Sequence, residues 1–368
     1  MAITRLGVLY GGRSGEHEVS LQSATSIVRN IDSTRFTQTL IGITRAGHWY
    51  LQPDSVVDSV HAGMPIERVQ ENEQQLVLFR PGVGLTVNGD LIPMDCVFPV
   101  LHGSFGEDGT VQGLLELVGV PYVGAGVLGS ALGMDKEIVK RVWQAHRLPA
   151  VPFHPFSAAE YRESGTARLP AELNAALGQP PYFVKPACAG SSVGISRIKS
   201  FTELDPALKA AFRFDTKVLI EPSIPAREIE VAVLGNHRPR AFTPGEVIPT
   251  HEFYDYEAKY IDPNGAELVI PADLPHETLT TARELALAAY RACGACGLAR
   301  VDLFYDKREE ELLLNEINTI PGFTRISMFP RMCAHDGLAY PQLLAQLTEL
   351  AIEHHSERQS LDGVWTPL

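Results

Sequence analysis

Short apolar runs and amphipathic stretches alternate through the first third of the chain. LGVLYGG (6–12) is an apolar run closed by glycines and predicts a strand. SLQSATSIVRNI (20–31) repeats its apolar positions at helical spacing, so residues 6–31 read as a strand–loop–helix unit. FTQTLIGI (36–43) predicts a second strand, CVFPVLHG (96–103) a third, and VQGLLELVG (111–119) a helix behind it. Strands alternating with helices predict a parallel sheet, and this first α/β domain (1–124) ends near Gly124.

Beyond it the pattern changes. Residues 130–147, SALGMDKEIVKRVWQAHR, predict one helix, followed by a Pro-rich stretch from Pro149 to Pro155. YFVKPA (182–187) and VLIEPSI (218–224) read as strands with the helix ELDPALKAAFRF (203–214) between them. The last third holds strand patterns in REIEVAVLG, ELVIPA, LARVDLFY and ELLLNEIN and a long helix through ELALAAY. Strands and helices mixed in this way indicate α+β. The residues from His355 onward are polar and predict a loose tail, and no internal repeat is visible.

Composition narrows the function classes. The 368 residues are 45% apolar, enough for roughly two or three cored domains. A net charge of −13 argues against nucleic acid or an anionic membrane as the main partner, while leaving room for a local lysine pocket that takes a small anion. Five scattered cysteines (96, 188, 293, 296, 333) form no disulfide framework. The apolar part of MAITRLGVLYGG is short for a signal peptide, and no run approaches ~18 apolar residues. A cytoplasmic protein is expected.

Several local patterns invite chemistry. Cys293 and Cys296 have C-x-x-C spacing, but no second pair accompanies them, and the small-residue end of a helix accounts for them better than zinc or redox chemistry. Gly124, Gly126 and Gly129 spell G-x-G-x-x-G. A dinucleotide site also needs an acidic residue about 20 positions on, and RLPAVPFHPF has none, so a glycine turn between domains is the better reading. Glu16 lies in the loop after the first strand, where α/β folds bind ligands; it could grip an ammonium group or merely complement a helix dipole, and this loop alone leaves the two readings even. KPACAGSSVG (185–194) has the composition of a phosphate loop with its lysine ahead of the glycines. Cys188 in its middle could be a reactive thiol near Lys185, although a tolerated small residue is the plainer reading. His17, His48, His154 and His251 read as surface or structural.

The sharpest constellation is ARVDLFY (299–305) and ELLLNEIN (311–318) around the polar turn YDKREEE. Antiparallel pairing about that turn sets Asp302 opposite Glu316. Alternation then puts Arg300, Asp302, Glu316 and Asn318 on one face, and Val301, Leu303, Leu313 and Ile317 on the core face. Two carboxylates and an amide oxygen suit Mg²⁺, which also takes water and phosphate oxygens. A surface salt-bridge ladder fits less well, because these carboxylates interrupt apolar strands. The TIPGFT turn after Asn318 offers backbone N–H groups beside Arg300, the makings of an oxyanion site.

With GGRSGEHEVSLQSA, LHGSFGEDGTVQG, GMDK, FVKPACAGSSVG, VLIEPSIPAREIEVAVLG, FYDYEAKYID, GLARVDLF and NEINTIPGFTRISMFP in this order, the chain resembles the D-alanine–D-alanine ligases over nearly its whole length. The resemblance implies an ATP-grasp fold preceded by the N-terminal parallel-sheet domain, with a central ATP-grasp subdomain (125–220), a C-terminal one carrying the Mg²⁺ site (221–354) and a tail (355–368). It implies ATP-dependent joining of two D-alanines for peptidoglycan precursors, through an acyl phosphate and a tetrahedral intermediate. Its partners would be D-alanine and ATP, with no nucleic acid and no membrane, in a cytoplasmic homodimer.

Residue by residue, the resemblance implies that Glu16 holds the first D-alanine's ammonium, joined by Ser191 and Tyr260 in a hydrogen-bonded group, with His102 near that substrate's carboxylate. Lys136, Lys185 and Lys259 would contact ATP phosphates, Lys259 from the loop 245–265. Glu221 would meet the adenine amino group, Ile224 the adenine edge, and Glu228 the ribose. Asp302, Glu316 and Asn318 would bind two Mg²⁺, with Mn²⁺ able to stand in. Arg300 and the Gly322 N–H would stabilise the oxyanion, and Ser327 would take the second D-alanine's carboxylate. Pro222 departs from the usual pattern after Glu221, so no backbone N–H can meet adenine there. The competing readings are a D-lactate- or D-serine-using ligase, which Tyr260 in EAKY disfavours, a dinucleotide oxidoreductase, and a nucleotide-binding protein without catalysis.

Overall fold

A computed structural model describes residues 3–190, 193–249, 265–324 and 326–361. Leu6, Val8 and Tyr10 on one face of the first strand and Leu9 on the other are all buried, so Thr4–Gly11 must be covered on both sides. It is an inner strand of a sheet ordered Trp49–Leu51, Phe36–Ile43, Thr4–Gly11, Cys96–Val100, and it pairs parallel with both neighbours. The crossover helix His17–Asn30 covers one face, where Leu6, Val8 and Tyr10 meet Ala24, Ile27 and Val28. The expected parallel sheet is therefore present, with Trp49–Leu51 added antiparallel at its edge. A small three-stranded sheet between residues 77 and 91 escaped the pattern reading because its strands are two to four residues long and Leu78, Phe79 and Leu91 are exposed.

Two antiparallel sheets follow, giving the mixed architecture expected. One is ordered Ser196–Ile198, Tyr182–Pro186, Lys217–Pro222, His154–Ser157. Its last strand lies inside the Pro-rich stretch, and Pro155 is tolerated because that strand is an edge. The other has six strands, in which Ala226–Leu234 pairs along its whole length with Leu298–Asp306, and the latter with Glu311–Asn318. Gly245–Pro249 and Ala266–Val269 extend it, so the segment 245–265 begins as strand, not loop.

The predicted helix 130–147 is two helices, Val127–Met134 and Lys136–Ala145. Asp135 breaks them: its backbone is extended, and its carboxylate accepts the N–H groups of Glu137 (3.0 Å) and Ile138 (3.1 Å) as the N-cap of the second helix. The tail expected from His355 also begins later, because the helix Tyr340–Gln359 runs through it. That helix buries Leu343, Leu344, Leu347 and Ala351 in one core with Leu6 and Phe98 of the first sheet, Leu298 of the six-stranded sheet and Phe242. The N-terminal sheet and the C-terminal sheet therefore share apolar packing. Phe323 sits at the junction, edge-on to Phe98 (5.4 Å between centroids) and close to Phe329 (5.6 Å).

The cap gives a direct test. Asp135→Ala should destabilise the protein by about 1–2 kcal/mol in urea denaturation, and Asp135→Asn, which keeps the acceptor, should lose less. Equal losses would show that the Lys217–Asp135 ion pair (2.7 Å) matters more than the cap.

Candidate active site

The 298–318 hairpin carries the centre of the site. Asp302 faces Glu316 and Arg300 faces Asn318, as the sequence pattern predicts. Beyond Asp302 the register slips by one, because Asn315 has no opposite partner and forms a bulge. The slip corrects the expected core face: Leu312 and Leu314, not Leu313, pack with Val301, Leu303 and Ile317. It also turns Asn315 toward the same cavity as Glu316. Arg300 grips Asp302 through two contacts (2.7 and 2.6 Å) and reaches Glu230 at 3.2 Å. Burial disfavours its charge, but Asp302 and Glu230 outweigh burial and hold the guanidinium firmly protonated.

Three lysines arrive from neighbouring elements. Lys136 opens the helix that Asp135 caps; its ammonium donates to the Ala189 carbonyl (2.9 Å) and pairs with Glu316 at 3.2 Å. Burial lowers its basicity, yet Glu316 more than restores it. Lys185, from the strand Tyr182–Pro186, pairs with Glu221 at 2.6 Å and reaches Asn315 at 3.4 Å. Lys140, one turn beyond Lys136, is wholly buried against the other oxygen of Glu221 at 3.1 Å. Burial pushes the Glu221 carboxyl up, but Lys140 and Lys185 together hold it below the usual carboxylate range.

The first domain adds Glu16, His102 and Glu107. Glu16 occupies the N-cap position of its helix without capping it, and its carboxylate is turned toward Gly103 and Gly190. A Cβ at Gly103 would lie 2.5 Å from Glu16 Oε2, and one at Gly190 3.0 Å, so both positions must be bare for the carboxylate to fit. His102 is buried, with Nδ1 3.1 Å from the Ile320 carbonyl and Nε2 3.1 Å from Ser23 Oγ. Only an Nδ1–H can meet a carbonyl, which makes Nε2 the acceptor, and burial lowers the ring's pKa. Glu107 accepts the Gly103 N–H (2.8 Å), and burial beside Glu16 pushes its carboxyl up to about 8.

The turn after the hairpin closes the wall. A Cβ at Gly322 would meet Ser327 Oγ at 2.8 Å. Ser327 Oγ accepts the Thr324 N–H (3.0 Å) and sits at the N-cap of the helix Met328–His335 without capping it, and Ser327 and Met328 both line the cavity. Ile224, Glu228 and Pro222 also line the cavity. One cavity of about 500 Å³ thus gathers Glu16, His102, Lys136, Lys185, Glu221, Ile224, Glu228, Arg300, Asp302, Glu316, Asn318, Gly322 and Ser327. Ser191, Lys259 and Tyr260 lie outside the described residues.

Among the described residues no group of three His, Cys, Asp or Glu side chains could hold a metal alone. Asp302 and Glu316 with the Asn318 amide fit a hard cation that completes its shell with water and phosphate oxygens. Asn318 donates its NH₂ to Asp302 (2.9 Å), so its oxygen is the group it can offer. Arg300 pairs with Asp302 at 2.6 Å and Lys136 with Glu316 at 3.2 Å.

Other expectations resolve simply. Burial and the nearby Asp135 and Asp215 push the Cys188 thiol up to about 12, so it is a poor nucleophile. Cys293 is buried and Cys296 half-buried, and both are free thiols. Two of the G-x-G-x-x-G glycines, Gly124 and Gly129, sit in close packing: a Cβ at Gly129 would lie 3.2 Å from Ala295 Cα, and one at Gly297 3.2 Å from the Gly124 nitrogen. Sequence reasoning missed Glu107, Lys140, Glu230 and Asn315. Glu107 stood within the quoted GEDG stretch, and Lys140 at helical spacing from Lys136; nothing local marks Glu230 or the bulge.

The family model "D-ala D-ala ligase N-terminus" matches residues 5–125, and "D-ala D-ala ligase C-terminus" matches 142–349. The chain is 46% identical over 366 residues to a D-alanine–D-alanine ligase of Treponema denticola (97% of this chain, 98% of the relative). It is 42% identical to D-alanine–D-alanine ligase A of Salmonella typhimurium (98% and 99%). Among solved structures it is similar to the D-alanine–D-alanine ligase of Coxiella burnetii (TM-score 0.81, 37% identity, 97% of both chains). A D-Ala:D-Ser ligase of Enterococcus faecalis also matches (TM-score 0.81, 35% identity, 95% and 100%).

The elevated Glu107 makes stability depend on pH. The folded state holds a proton that the unfolded chain, with an ordinary carboxyl near 4.3, releases. This contribution is complete below about pH 4 and is lost as pH rises toward 8. Glu107→Gln should therefore flatten the fall in stability between about pH 5 and 8 in urea titrations; an unchanged slope would place the titration elsewhere.

Proposed function

The chain belongs to the D-alanine–D-alanine ligase family, and we propose that this ATP-dependent ligase joins two D-alanines in the cavity through the division of labour below. A carboxylate is a poor acyl donor until it carries a good leaving group. The first D-alanine's carboxylate oxygen attacks the γ-phosphorus of ATP, giving an acyl phosphate and ADP. The second D-alanine's amino nitrogen then attacks the acyl carbon. The tetrahedral intermediate collapses, inorganic phosphate leaves with the C–O bonding pair, and the amine's proton is lost to solvent. Water must be excluded meanwhile, or the acyl phosphate hydrolyses.

Glu16 receives the first substrate's ammonium, with Ser191 and Tyr260 as its hydrogen-bond partners. His102, with both ring nitrogens engaged, sets the wall beside that substrate's carboxylate. Lys136, Lys185 and Lys259 meet the phosphates, Glu221 the adenine amino group, Ile224 the adenine edge and Glu228 the ribose. Asp302, Glu316 and Asn318 would hold two Mg²⁺, or Mn²⁺ in its place, which when bound neutralise charge on the transferring phosphate. Arg300 and the Gly322 N–H receive the oxyanion, and Ser327 with the following helix N-terminus takes the second carboxylate. The chief support is Arg300, fixed by Asp302 and Glu230 on the wall that also carries the carboxylate pair.

Subdomain boundaries at 124, 220 and 354, a homodimer and a cytoplasmic setting complete the proposal. No helix among the described residues is long and apolar enough to cross a membrane. The D-Ala:D-Ser ligase neighbour makes D-serine the main competing second substrate.

Phosphate release from ATP should require D-alanine, exceed that with L-alanine, D-serine or D-lactate, and yield D-alanyl-D-alanine by mass. ATP turnover without dipeptide would overturn the reading. Arg300→Ala should lower kcat by about 10²–10³ with ATP still bound. Ser191→Ala should raise the D-alanine KM and leave residual turnover; complete loss with intact ATP binding would give Ser191 a larger role.

A further inference from the structure

Lys140 is a cation with no view of the cavity. It lies in the helix Lys136–Ala145, its side chain is 0% exposed, and it is absent from the cavity wall to which Lys136, Lys185 and Glu221 belong. Its ammonium is 3.1 Å from Glu221 Oε1, while Lys185 takes Oε2 at 2.6 Å. Neither Lys140 Nζ nor Glu221 Oε1 has an aligned hydrogen bond among the described residues. Charge is compensated there, but acceptor capacity on a buried carboxylate is unspent.

A phosphate in the cavity competes with Glu221 for the Lys185 ammonium. When Lys185 turns to a phosphate, Glu221 loses its shorter ion pair. A buried carboxylate without a cation takes up a proton, and a carboxylic acid donates where a carboxylate accepts. We propose that Lys140 is a positioning residue: it is the standing counter-ion that holds Glu221 as an acceptor for the purine 6-amino group while Lys185 is engaged by phosphate. The inference rests on the reading of Glu221 as the adenine contact. It gives Lys140 a role in base selectivity, since a 6-oxo purine presents an acceptor that the carboxylate repels.

The test compares ATP with inosine triphosphate in the wild-type enzyme and in Lys140→Met, Lys140→Arg, Glu221→Gln and the Lys140→Met/Glu221→Gln double variant. Lys140→Met should raise KM for ATP about tenfold or more, change kcat little, and cut the ATP-over-inosine-triphosphate preference in kcat/KM by about tenfold. Lys140→Arg should retain most of the preference, and in the Glu221→Gln background Lys140→Met should change it no further. If Glu221→Gln alters the preference and Lys140→Met does not, the counter-ion role is wrong and the adenine reading stands. If neither alters it, the Glu221 assignment fails and takes this inference with it.

Should Lys140→Met not fold, the wild-type enzyme crystallised with a non-hydrolysable ATP analogue decides. The expected result is Lys185 on phosphate with the Lys140–Glu221 contact kept. Lys185 still on Glu221, or Lys140 turned away, overturns the proposal.

Discussion

The constraint on which the site depends is the cost of taking charge out of water. Glu221, Lys140, Lys185 and Lys136 are all nearly or wholly buried, and an isolated ion there would neutralise itself. The fold answers by pairing: Glu221 between two lysines, Glu316 with Lys136, Asp302 and Glu230 with Arg300. Each pair sets opposite charges together, which offsets the cost of burying them. Pairing also fixes geometry, since a guanidinium gripping Asp302 at two points has little freedom to wander.

Such pairs form only if their elements are held in place by something other than charge, and apolar packing does this. The Val301–Leu303–Leu312–Leu314–Ile317 face anchors the hairpin against Val139 and Trp143 of the lysine-bearing helix. Phe323 ties the turn after the hairpin to Phe98 of the first sheet, and Tyr340, at the start of the last helix, donates its hydroxyl to the Phe323 carbonyl. The parts of the cavity wall are thus positioned by separate apolar clusters and not by the polar groups themselves.

Much of this is legible in the sequence. The strands LGVLYGG, FTQTLIGI and REIEVAVLG carry their period openly, and the Asp302–Glu316 pairing follows from one turn and strict alternation. Where two local signals compete, the structure departs from the sequence pattern. Asp135 capped a new helix inside an apparently continuous one, because a residue that can hydrogen-bond the backbone ahead of it favours a cap over a helix interior. Asn315 bulged where alternation assumed none, and moved the core face from Leu313 to Leu312 and Leu314. The polar residues after His355 hid the end of a helix whose buried side had already been spent upstream.

By itself the sequence determined the alternation of layers, the carboxylate-bearing hairpin and the order of motifs that marks the family, because each depends on residues close together in the chain. Only the tertiary structure decided which charges meet. That Lys140 and Lys185 share Glu221, that Glu16 lies against Gly103 and Gly190, and that His102 is locked between Ser23 and Ile320 depend on contacts between residues far apart in sequence. Burial sets the cost of charge at His102, Lys140 and Glu221, and burial is a property of the packed whole.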